Sequence, residues 1–312
     1  MKWPAFAILA LMTLAGCKSG DGSPSLPVSY SAIHSGTEGI KIEFLPNGPP
    51  ENLQAGEEAG VDYKISLKIS NKGAADVDSG LLAIIYNPDY IRVEDASREV
   101  SLLGRGPANP PGTVIFEFFS SQTLPFTEVQ SKKRETKITA VACYRYSTES
   151  LSDTCIDADL LNINMKQKAC VPKSLAFSGQ GAPVAVVKIE PEMLPDGSGS
   201  SITAVRPQYT VHIKNVGLGQ VVSGEAVQAL CTEAILEPRA LNMVGITASL
   251  SEKGLDCSPN PVRLESGEGK VRCIASEAVP ASTPSYNTPL LVKLSYGYMS
   301  SESKKVTITK TE

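Results

Sequence analysis

The sequence has few residues of the kinds that catalysis needs. Its 312 residues include only two histidines, His34 and His212. Nucleophilic catalysis requires a base beside the nucleophile, and the sequence contains no G-x-S-x-G, H-E-x-x-H or P-loop pattern. His212 alternates with Val211 and Ile213 along a predicted strand, so we expect it at the surface. The sequence predicts no catalytic residue and no enzyme.

Patterns typical of metal sites and of N-glycosylation are also missing. There is no C-x-x-C, neither histidine is near a cysteine in sequence, and no Asn-x-Ser/Thr occurs. The acidic runs 75–80 and 153–159 could supply oxygen ligands to Ca²⁺, which stays an alternative. Asp is equally expected in turns, where it bonds its own backbone. We therefore predict no metal site and no cofactor.

Positive charge is not in excess. The chain has 29 Lys and Arg against 33 Asp and Glu, which gives a net charge of −4. This balance argues against an electrostatic grip on nucleic acid. The dense basic run Lys132-Lys133-Arg134 lies close to Glu128 and Glu135, and we expect it to form a solvated loop.

The apolar run near the N-terminus is short. Residues 5–16 supply about a dozen apolar residues, whereas a membrane-spanning helix needs roughly 20. This length suits the h-region of a signal peptide. The run ends Leu14-Ala15-Gly16-Cys17, and these four residues resemble the lipobox of bacterial lipoproteins. The resemblance implies cleavage of residues 1–16 and a lipid on Cys17 that anchors the chain to a membrane.

An ordinary signal peptide that happens to contain a cysteine is the alternative to that interpretation. Residues 17–36 are expected to form a lipidated, flexible linker, because the Gly/Ser/Pro-rich stretch after Cys17 cannot pack a core. The chain is expected to lie outside the cytoplasm, anchored to the outer membrane or the cell surface.

The remainder of the chain contains two copies of one pattern, with matching features 144 to 152 residues apart. Each copy begins with a short strand, at 41–43 or 188–190. Alternating strands follow at 61–69 and 209–213, and these end in Asn71-Lys72-Gly73 and Asn215-Val216-Gly217. Asn and Gly tolerate left-handed backbone conformations, which suits the end of a strand.

The two copies also close alike. The first contains Tyr144-Arg145-Tyr146 and the second Tyr296-Gly297-Tyr298. Each predicted strand then turns through a Ser/Thr/Glu segment, 147–150 or 300–303, into a final strand. The recurring tyrosines indicate a shared packing role with hydroxyls bonded to the backbone, and ligand stacking is the alternative.

Many short alternating strands without a long helical pattern predict an all-β fold. We expect two tandem β-sandwich domains, residues 37–165 and 183–312, joined by a linker at 166–182. The only helical candidate is the stretch 158–168. In the first domain, Phe116 and Phe118 are expected in the core, and Phe119 on the opposite, exposed face.

Six cysteines remain after Cys17: Cys143, Cys155, Cys170, Cys231, Cys257 and Cys273. An even number in an exported chain indicates disulfides, and six cysteines allow fifteen pairings. We pair Cys143 with Cys155 and Cys257 with Cys273 because each pair flanks a predicted hairpin. Cys170 and Cys231 are paired by elimination.

Residues 63–73 and 209–219 resemble the I-x-N-x-G strand of immunoglobulin-like modules of the cell-adhesion-related, CARDB-like type found in exported prokaryotic proteins. The segments 143–146, 155–157 and 180–184 are also similar to secreted proteins of uncultivated archaea. The resemblance covers most of residues 38–312 and carries no catalytic residue. It implies two immunoglobulin-like sandwiches and a role in surface adhesion or extracellular assembly.

Two functional hypotheses follow. The first is a non-enzymatic surface lipoprotein that presents two modules to a protein partner, a glycan or a second copy of itself. The second is a structural subunit or anchor of an extracellular filament or envelope complex, assembled through an open sheet edge. With the anchor near the first module, we expect residues 183–312 to meet the partner.

Overall fold

A computed structural model describes residues 29–126, 131–162, 168–197, 202–232 and 237–311. These residues form an all-β protein with one short α-helix, α1 (Tyr30–Ile33), and two 3₁₀ helices, Val227–Cys231 and Pro238–Ala240. The strands are β1 (Ile40–Phe44), β2 (Asn52–Ala55), β3 (Asp62–Asn71), β4 (Val77–Ile85), β5 (Ile91–Val93), β6 (Ser97–Leu102), β7 (Val114–Thr123), β8 (Lys133–Ile156), β9 (Leu175–Ala176), β10 (Val184–Asp196), β11 (Ala204–Asn215), β12 (Gln220–Val222), β13 (Met243–Leu250), β14 (Lys253–Ser258), β15 (Val262–Arg263), β16 (Glu268–Ala275), β17 (Val279–Pro280) and β18 (Tyr286–Lys310).

The strands form two sheets. A four-stranded sheet has the order β1-β3-β7-β5. The other strands join one long sheet, whose main path is β6-β4-β8-β18-β13-β14-β16-β11-β10-β9. One contiguous cluster of buried side chains connects the two sheets and runs through both repeats. None of the helices in the described part of the chain is long and apolar enough to cross a membrane.

The predicted period-two strands are present. In β3, Ile65, Leu67 and Ile69 are fully buried, while Lys64 and Lys68 lie on the other face. In β11, Tyr209, Val211 and Ile213 are buried in the same alternating way. Alternating side chains point to opposite faces of a sheet, so this pattern fixes which face of each strand enters the core.

The two long strands β8 and β18 correct the predicted topology. They have 24 and 25 residues and pair antiparallel along their length, from Lys133 opposite Thr309 to Ile156 opposite Tyr286. The turns predicted at 147–150 and 300–303 are wrong, because both segments lie inside this ladder. Neither segment contains Gly, Pro, Asn or Asp, four of the five residue types that dominate turns. Thr148 and Ser150 are buried, as the alternation along β8 requires.

Because neither strand turns, each one crosses into the other repeat. The first half of β8 pairs with β4, from Gly80 opposite Tyr144 to Ile85 opposite Thr139. Its second half lies beside the part of β18 that pairs with β13. The second half of β18 in turn pairs with β8 and, in parallel, with β2. Each repeat therefore receives its last strand from the other, and the two repeats share one sheet.

The segment 29–36 also differs from the predicted flexible linker. Its described residues pack against the body: Ile33 is buried, Tyr30 donates to Glu149 Oε1 at 3.3 Å, and Arg105 donates to Ser35 O. Residues 17–28, including Cys17, lie outside the described residues, as does the predicted signal peptide. Since Glu149 is close to the middle of the β8–β18 ladder, the chain enters the fold at the junction of the repeats. The prediction that residues 183–312 meet the partner assumed an entry at the first repeat alone, whereas Tyr30 contacts the ladder that both repeats share.

The region between the repeats is tied to both of them. Gly181 N donates to Gly36 O at 2.8 Å, and Ala74 N donates to Gly181 O at 2.8 Å. Within the predicted linker, β9 pairs with Lys188 and Ile189 of β10. The helical candidate 158–168 includes a turn at residues 160–161, and its residues 163–167 lie outside the described residues.

Candidate functional site

The structure pairs the six cysteines as Cys143–Cys231, Cys155–Cys170 and Cys257–Cys273, with Cα separations of 6.0, 5.9 and 4.0 Å. The last pair is the one expected from its hairpin. Its partners lie directly opposite on β14 and β16. The turn after Glu265 places Ser266 and Gly267 at φ 51 and 83, the conformation that such tight hairpin turns require.

The predicted pairs Cys143–Cys155 and Cys170–Cys231 are wrong. Because β8 runs straight, the twelve residue steps from Cys143 to Cys155 span roughly 40 Å, far beyond disulfide reach. Cys143 instead bonds Cys231, at the end of the 3₁₀ helix Val227–Cys231, and thus links the repeats covalently. Three disulfides are typical of a protein that resides in an oxidising compartment outside the cytoplasm.

The recurring tyrosines meet at the centre of the ladder. Tyr144 lies opposite Tyr298, and Tyr146 lies opposite Tyr296. All four rings are buried on one face, with neighbouring ring centroids 5.4 to 6.3 Å apart. Burial raises the pKa of each hydroxyl above its ordinary value. This cluster joins the repeats and leaves no ring face open to a ligand, so the packing interpretation is confirmed.

The tyrosine hydroxyls have matching partners in the two repeats. Ile40 N donates to Tyr144 Oη at 3.0 Å, and Val184 N donates to Tyr296 Oη at 3.3 Å. Tyr146 Oη donates to Asn71 Oδ1 at 3.1 Å, and Tyr298 Oη donates to Asn215 Oδ1 at 3.3 Å. Two of the four hydroxyls therefore bond a side-chain amide where the sequence predicted backbone partners alone, although Gly219 N also donates to Tyr298 Oη at 2.7 Å.

These contacts also explain the Asn-x-Gly signature, which sequence reasoning assigned to left-handed backbone. None of Asn71, Gly73, Asn215 and Gly217 has a positive φ. Asn71 instead uses its buried amide to hold Tyr146 and the carbonyls of Ala75 and Leu102. The glycines are needed for space: a Cβ on Gly73 would lie 2.0 Å from Tyr146 Oη, and one on Gly217 would lie 2.3 Å from Tyr298 Oη.

The two histidines lie in different parts of the chain, and among the described residues no hydrogen bond joins either ring to a Ser, Thr or Cys side chain. His212 Nε2 lies 2.7 Å from Glu190 Oε2 on the outer face of β10 and β11, as expected for a surface histidine. Hydrogen bonds from Lys188 and then His212 lower the pKa of Glu190 to about 2. His34 stacks on Tyr30 with ring centroids 4.0 Å apart. Burial, with Arg105 adding to it and Glu149 opposing it, lowers the pKa of His34.

We expect acid to release the N-terminal segment 29–36. Because the folded state lowers the pKa of His34, the packing of its neutral ring contributes fully above the ordinary value of 6.5 and is lost as pH falls through the folded value. Amide hydrogen exchange of Ile33 and His34 should therefore accelerate relative to distant amides as the pH falls below 6.5. His34→Phe keeps the stacked ring without the titration. Equal acid release in this variant would refute the role of His34.

The acidic and basic runs also have structural roles. Asp76 Oδ1 accepts from Gly104 N at 2.7 Å, and buried Asp157 accepts from Lys168 Nζ at 2.5 Å. Within the described ranges, no group of three or more His, Cys, Asp or Glu could hold a metal ion. The solvated loop predicted for 132–134 is wrong at Arg134. This residue is buried in β8 with its guanidinium 4.0 Å from the centroid of Phe126.

The largest correction concerns the phenylalanines of β7. Phe116 and Phe118 are 53% and 50% exposed, whereas Phe119 is fully buried, the reverse of the prediction. Both faces of this strand carry apolar residues, so the sequence does not fix its phase. The buried hydroxyl of Thr123 fixes the phase of β7, because Thr123 Oγ1 donates to Gln54 O at 2.8 Å and accepts from Val61 N at 2.9 Å. This inward position of Thr123 leaves Val114, Phe116 and Phe118 facing outward.

We refer to Val114, Phe116 and Phe118 as the Phe face. On the neighbouring strand β3, Lys68 lies opposite Phe116, Ser66 opposite Phe118 and Lys64 opposite Ser120. The surface continues into a depression of about 470 Å³ whose lining includes Asp62, Lys64, Arg92, Glu94, Ser120 and Gln122. An exposed row of large apolar side chains beside charged groups is a typical interaction surface.

The Phe face lies on a strand that is open along one side. β7 pairs with β3 from Val114 to Gln122, but with β5 only from Ser121 to Thr123. Among the described strands, none pairs with residues 114–118 on that second side. Arg98 of β6 covers part of this opening: it donates to Glu117 Oε2 at 2.7 Å and to Phe118 O at 2.9 Å, and its guanidinium carbon lies 4.6 Å from the Phe119 ring centroid.

These features define an exported, disulfide-bonded all-β protein with one exposed aromatic sheet face. No protein-family model matches the chain, and no curated protein matches it in sequence. Among solved structures, a partial N-terminal region of an enterococcal surface protein is similar over 86% of this chain and 88% of that one, at 8% identity and a TM-score of 0.18. A TM-score this low does not establish a shared fold.

Proposed function

We propose that this protein is a non-enzymatic surface lipoprotein, attached to a membrane through Cys17, that uses two fused immunoglobulin-like modules to bind a partner at the cell envelope. The Phe face on β7 is the binding surface. The single observation behind this assignment is that two phenylalanine rings remain half exposed on an ordered sheet, while the core beneath them is complete.

Several features support this role. The lipobox-like residues Leu14 to Cys17 favour an anchor, and the three disulfides favour an exported protein. Aromatic side chains dominate the binding energy of many interfaces because they bury large areas with few rotatable bonds. The strand exchange through β8 and β18 joins the two repeats through one shared sheet.

The experiment compares binding of the purified protein to isolated cell envelopes with binding of the double variant Phe116→Ser/Phe118→Ser. We expect saturable binding of the wild type and a loss of at least about tenfold in affinity for the variant, since each aromatic anchor typically contributes over 1 kcal/mol. The free energy of unfolding should change by less than about 1 kcal/mol, because the replaced rings are half exposed.

The chain offers a matched control for this experiment. Leu151 on β8 is 48% exposed, and Leu218 between β11 and β12 is fully exposed, so Leu151→Ser/Leu218→Ser removes as many exposed apolar side chains from other surfaces. This control should bind like the wild type. Equal binding by the phenylalanine variant and the wild type would exclude the Phe face as the binding surface.

A further inference from the structure

We infer that the partner docks on the Phe face as an extended, acidic polypeptide segment that adds a strand to the open edge of β7. This inference rests on the proposed binding role and names the class of partner. It follows from the direction of the backbone groups of β7, the position of Arg98 and the charges beside the phenylalanines.

The backbone of β7 presents unpaired hydrogen-bonding groups at this edge. Ser120 O accepts from Glu94 N at 2.9 Å and Phe118 O accepts from Arg98, so the even-numbered residues direct their N–H and C=O groups away from β3. Val114 and Phe116 have the same orientation, because the orientation alternates along an antiparallel strand. Their backbone groups therefore match the donors and acceptors of an incoming strand, as in strand addition.

Arg98 occupies the place of such a strand in the free protein. The guanidinium of Arg98 donates to the carbonyl oxygen of Phe118. Without Arg98, this oxygen would be free to accept from a backbone N–H of an added strand. Because Arg98 is also paired with Glu117 Oε2, it can keep this carboxylate when it releases the carbonyl. Charged side chains at exposed edges protect sheets from indiscriminate pairing. A strand that docks on β7 must displace Arg98 from the Phe118 carbonyl, which disfavours strands that bind only weakly.

The charges beside the Phe face indicate the character of the segment. On β3, the outward residues next to Phe116, Phe118 and Ser120 are Lys68, Ser66 and Lys64. Lys68 Nζ lies 3.6 Å from Glu43 Oε2, and Lys41 Nζ lies 3.3 Å from Glu43 Oε1, so two cations lie near one anion. Lys64 and Lys68 lie one strand further from the open edge than the phenylalanines. An incoming strand with apolar side chains against the phenyl rings, and with long acidic side chains that reach over the rings to the lysines, complements this surface.

The test pans a phage-displayed library of short random peptides on the intact, oxidised protein and measures the affinity of selected peptides for variants. We expect alternating apolar peptides enriched in Asp and Glu. Val114→Pro removes an edge-facing N–H, and proline is tolerated on edge strands where that group has no ladder partner. Affinity should fall about tenfold or more in Val114→Pro and should stay near the wild-type value in Val114→Ala.

Charge is tested separately. Lys64→Glu/Lys68→Glu should weaken the selected peptides, whereas the matched reversal Lys304→Glu/Lys305→Glu on β18 should not. The assignment is overturned if no peptide is selected, or if Val114→Pro binds like Val114→Ala. It is also overturned if the protein self-associates and Val114→Pro abolishes this, because a second copy then occupies the edge. Envelope binding that depends on Phe116 and Phe118 but not on Val114→Pro would leave the proposed function standing and exclude strand addition.

Discussion

Neither residues 29–162 nor residues 168–311 should fold alone into the form they have in the intact chain. The first fragment lacks the part of β18 that lies between β8 and β2. The second lacks the half of β8 that flanks β18, and it leaves Cys170 and Cys231 without Cys155 and Cys143. Each fragment would also expose two of the four central tyrosines. We therefore expect broad, non-cooperative thermal unfolding of each fragment by circular dichroism.

The matched control for this prediction is a chain cut only within residues 163–167, where a protease site is inserted. Both halves of the ladder are then present, so the cut chain should stay a one-to-one complex and unfold in a single transition. Two disulfides, Cys143–Cys231 and Cys155–Cys170, join the pieces across the cut, and the complex should persist after both are reduced. A cooperative, natively folded fragment 168–311 would show that the second repeat folds back on itself.

Replacing Tyr296 by alanine should lower the free energy of unfolding by about 3 to 5 kcal/mol, the range for truncating a large buried aromatic side chain. Tyr296 is 1% exposed and packs against Tyr146 and Tyr298. Its hydroxyl also accepts from Val184 N and lies 3.0 Å from Thr148 Oγ1. Truncation therefore removes apolar packing between the repeats and leaves buried polar groups without partners.

Two comparisons separate these contributions. Tyr296→Phe keeps the ring and should cost about 1 to 3 kcal/mol for the orphaned polar groups. Tyr286→Ala, on the same strand but 39% exposed, should cost less than about 1 kcal/mol. Chemical denaturation of the three variants gives these values directly. If Tyr296→Ala were no more destabilising than Tyr286→Ala, the tyrosine cluster would not join the repeats.

Local patterns in the sequence predict most of the strands but not how they cross. The strands β3 and β11 were predictable because apolar and polar residues alternate along them, and this alternation indicates a strand with one buried face. Residues 147–150 contain Ser, Thr and Glu, which occur in turns and strands alike. Whether such a segment turns depends on what lies beside it, and here the partner strand is β18, about 150 residues away. The absence of Gly, Pro, Asn and Asp was the signal against a turn.

The errors in the disulfides follow from that one turn. A hairpin at 147–150 would bring Cys143 opposite Cys155. The straight β8 separates the two cysteines, so Cys143 bonds Cys231 and Cys155 bonds Cys170. The pair Cys257–Cys273 was predictable because Ser266-Gly267 is a genuine turn within a local hairpin. Local pairings can thus be read from sequence, and pairings that depend on the crossing of β8 and β18 cannot.

The candidate binding surface was hidden for a different reason. Residues 114–119 read V-I-F-E-F-F, so either phase of the strand buries apolar side chains. The inward phase is set by distant contacts, those of Thr123 with Gln54 and Val61. The paired tyrosines, in contrast, recur in both repeats at matching positions, and recurrence alone indicated a shared packing role.

The most direct test of the strand exchange is a distance along β8. Spin labels are placed at Lys137 and Asp153, which are both exposed, through an unnatural amino acid so that the native disulfides stay intact. Double electron–electron resonance should give a separation of roughly 50 Å, the length of sixteen extended residues. A separation of about half that value would mean that β8 turns at 147–150, and would contradict the crossing of the two repeats.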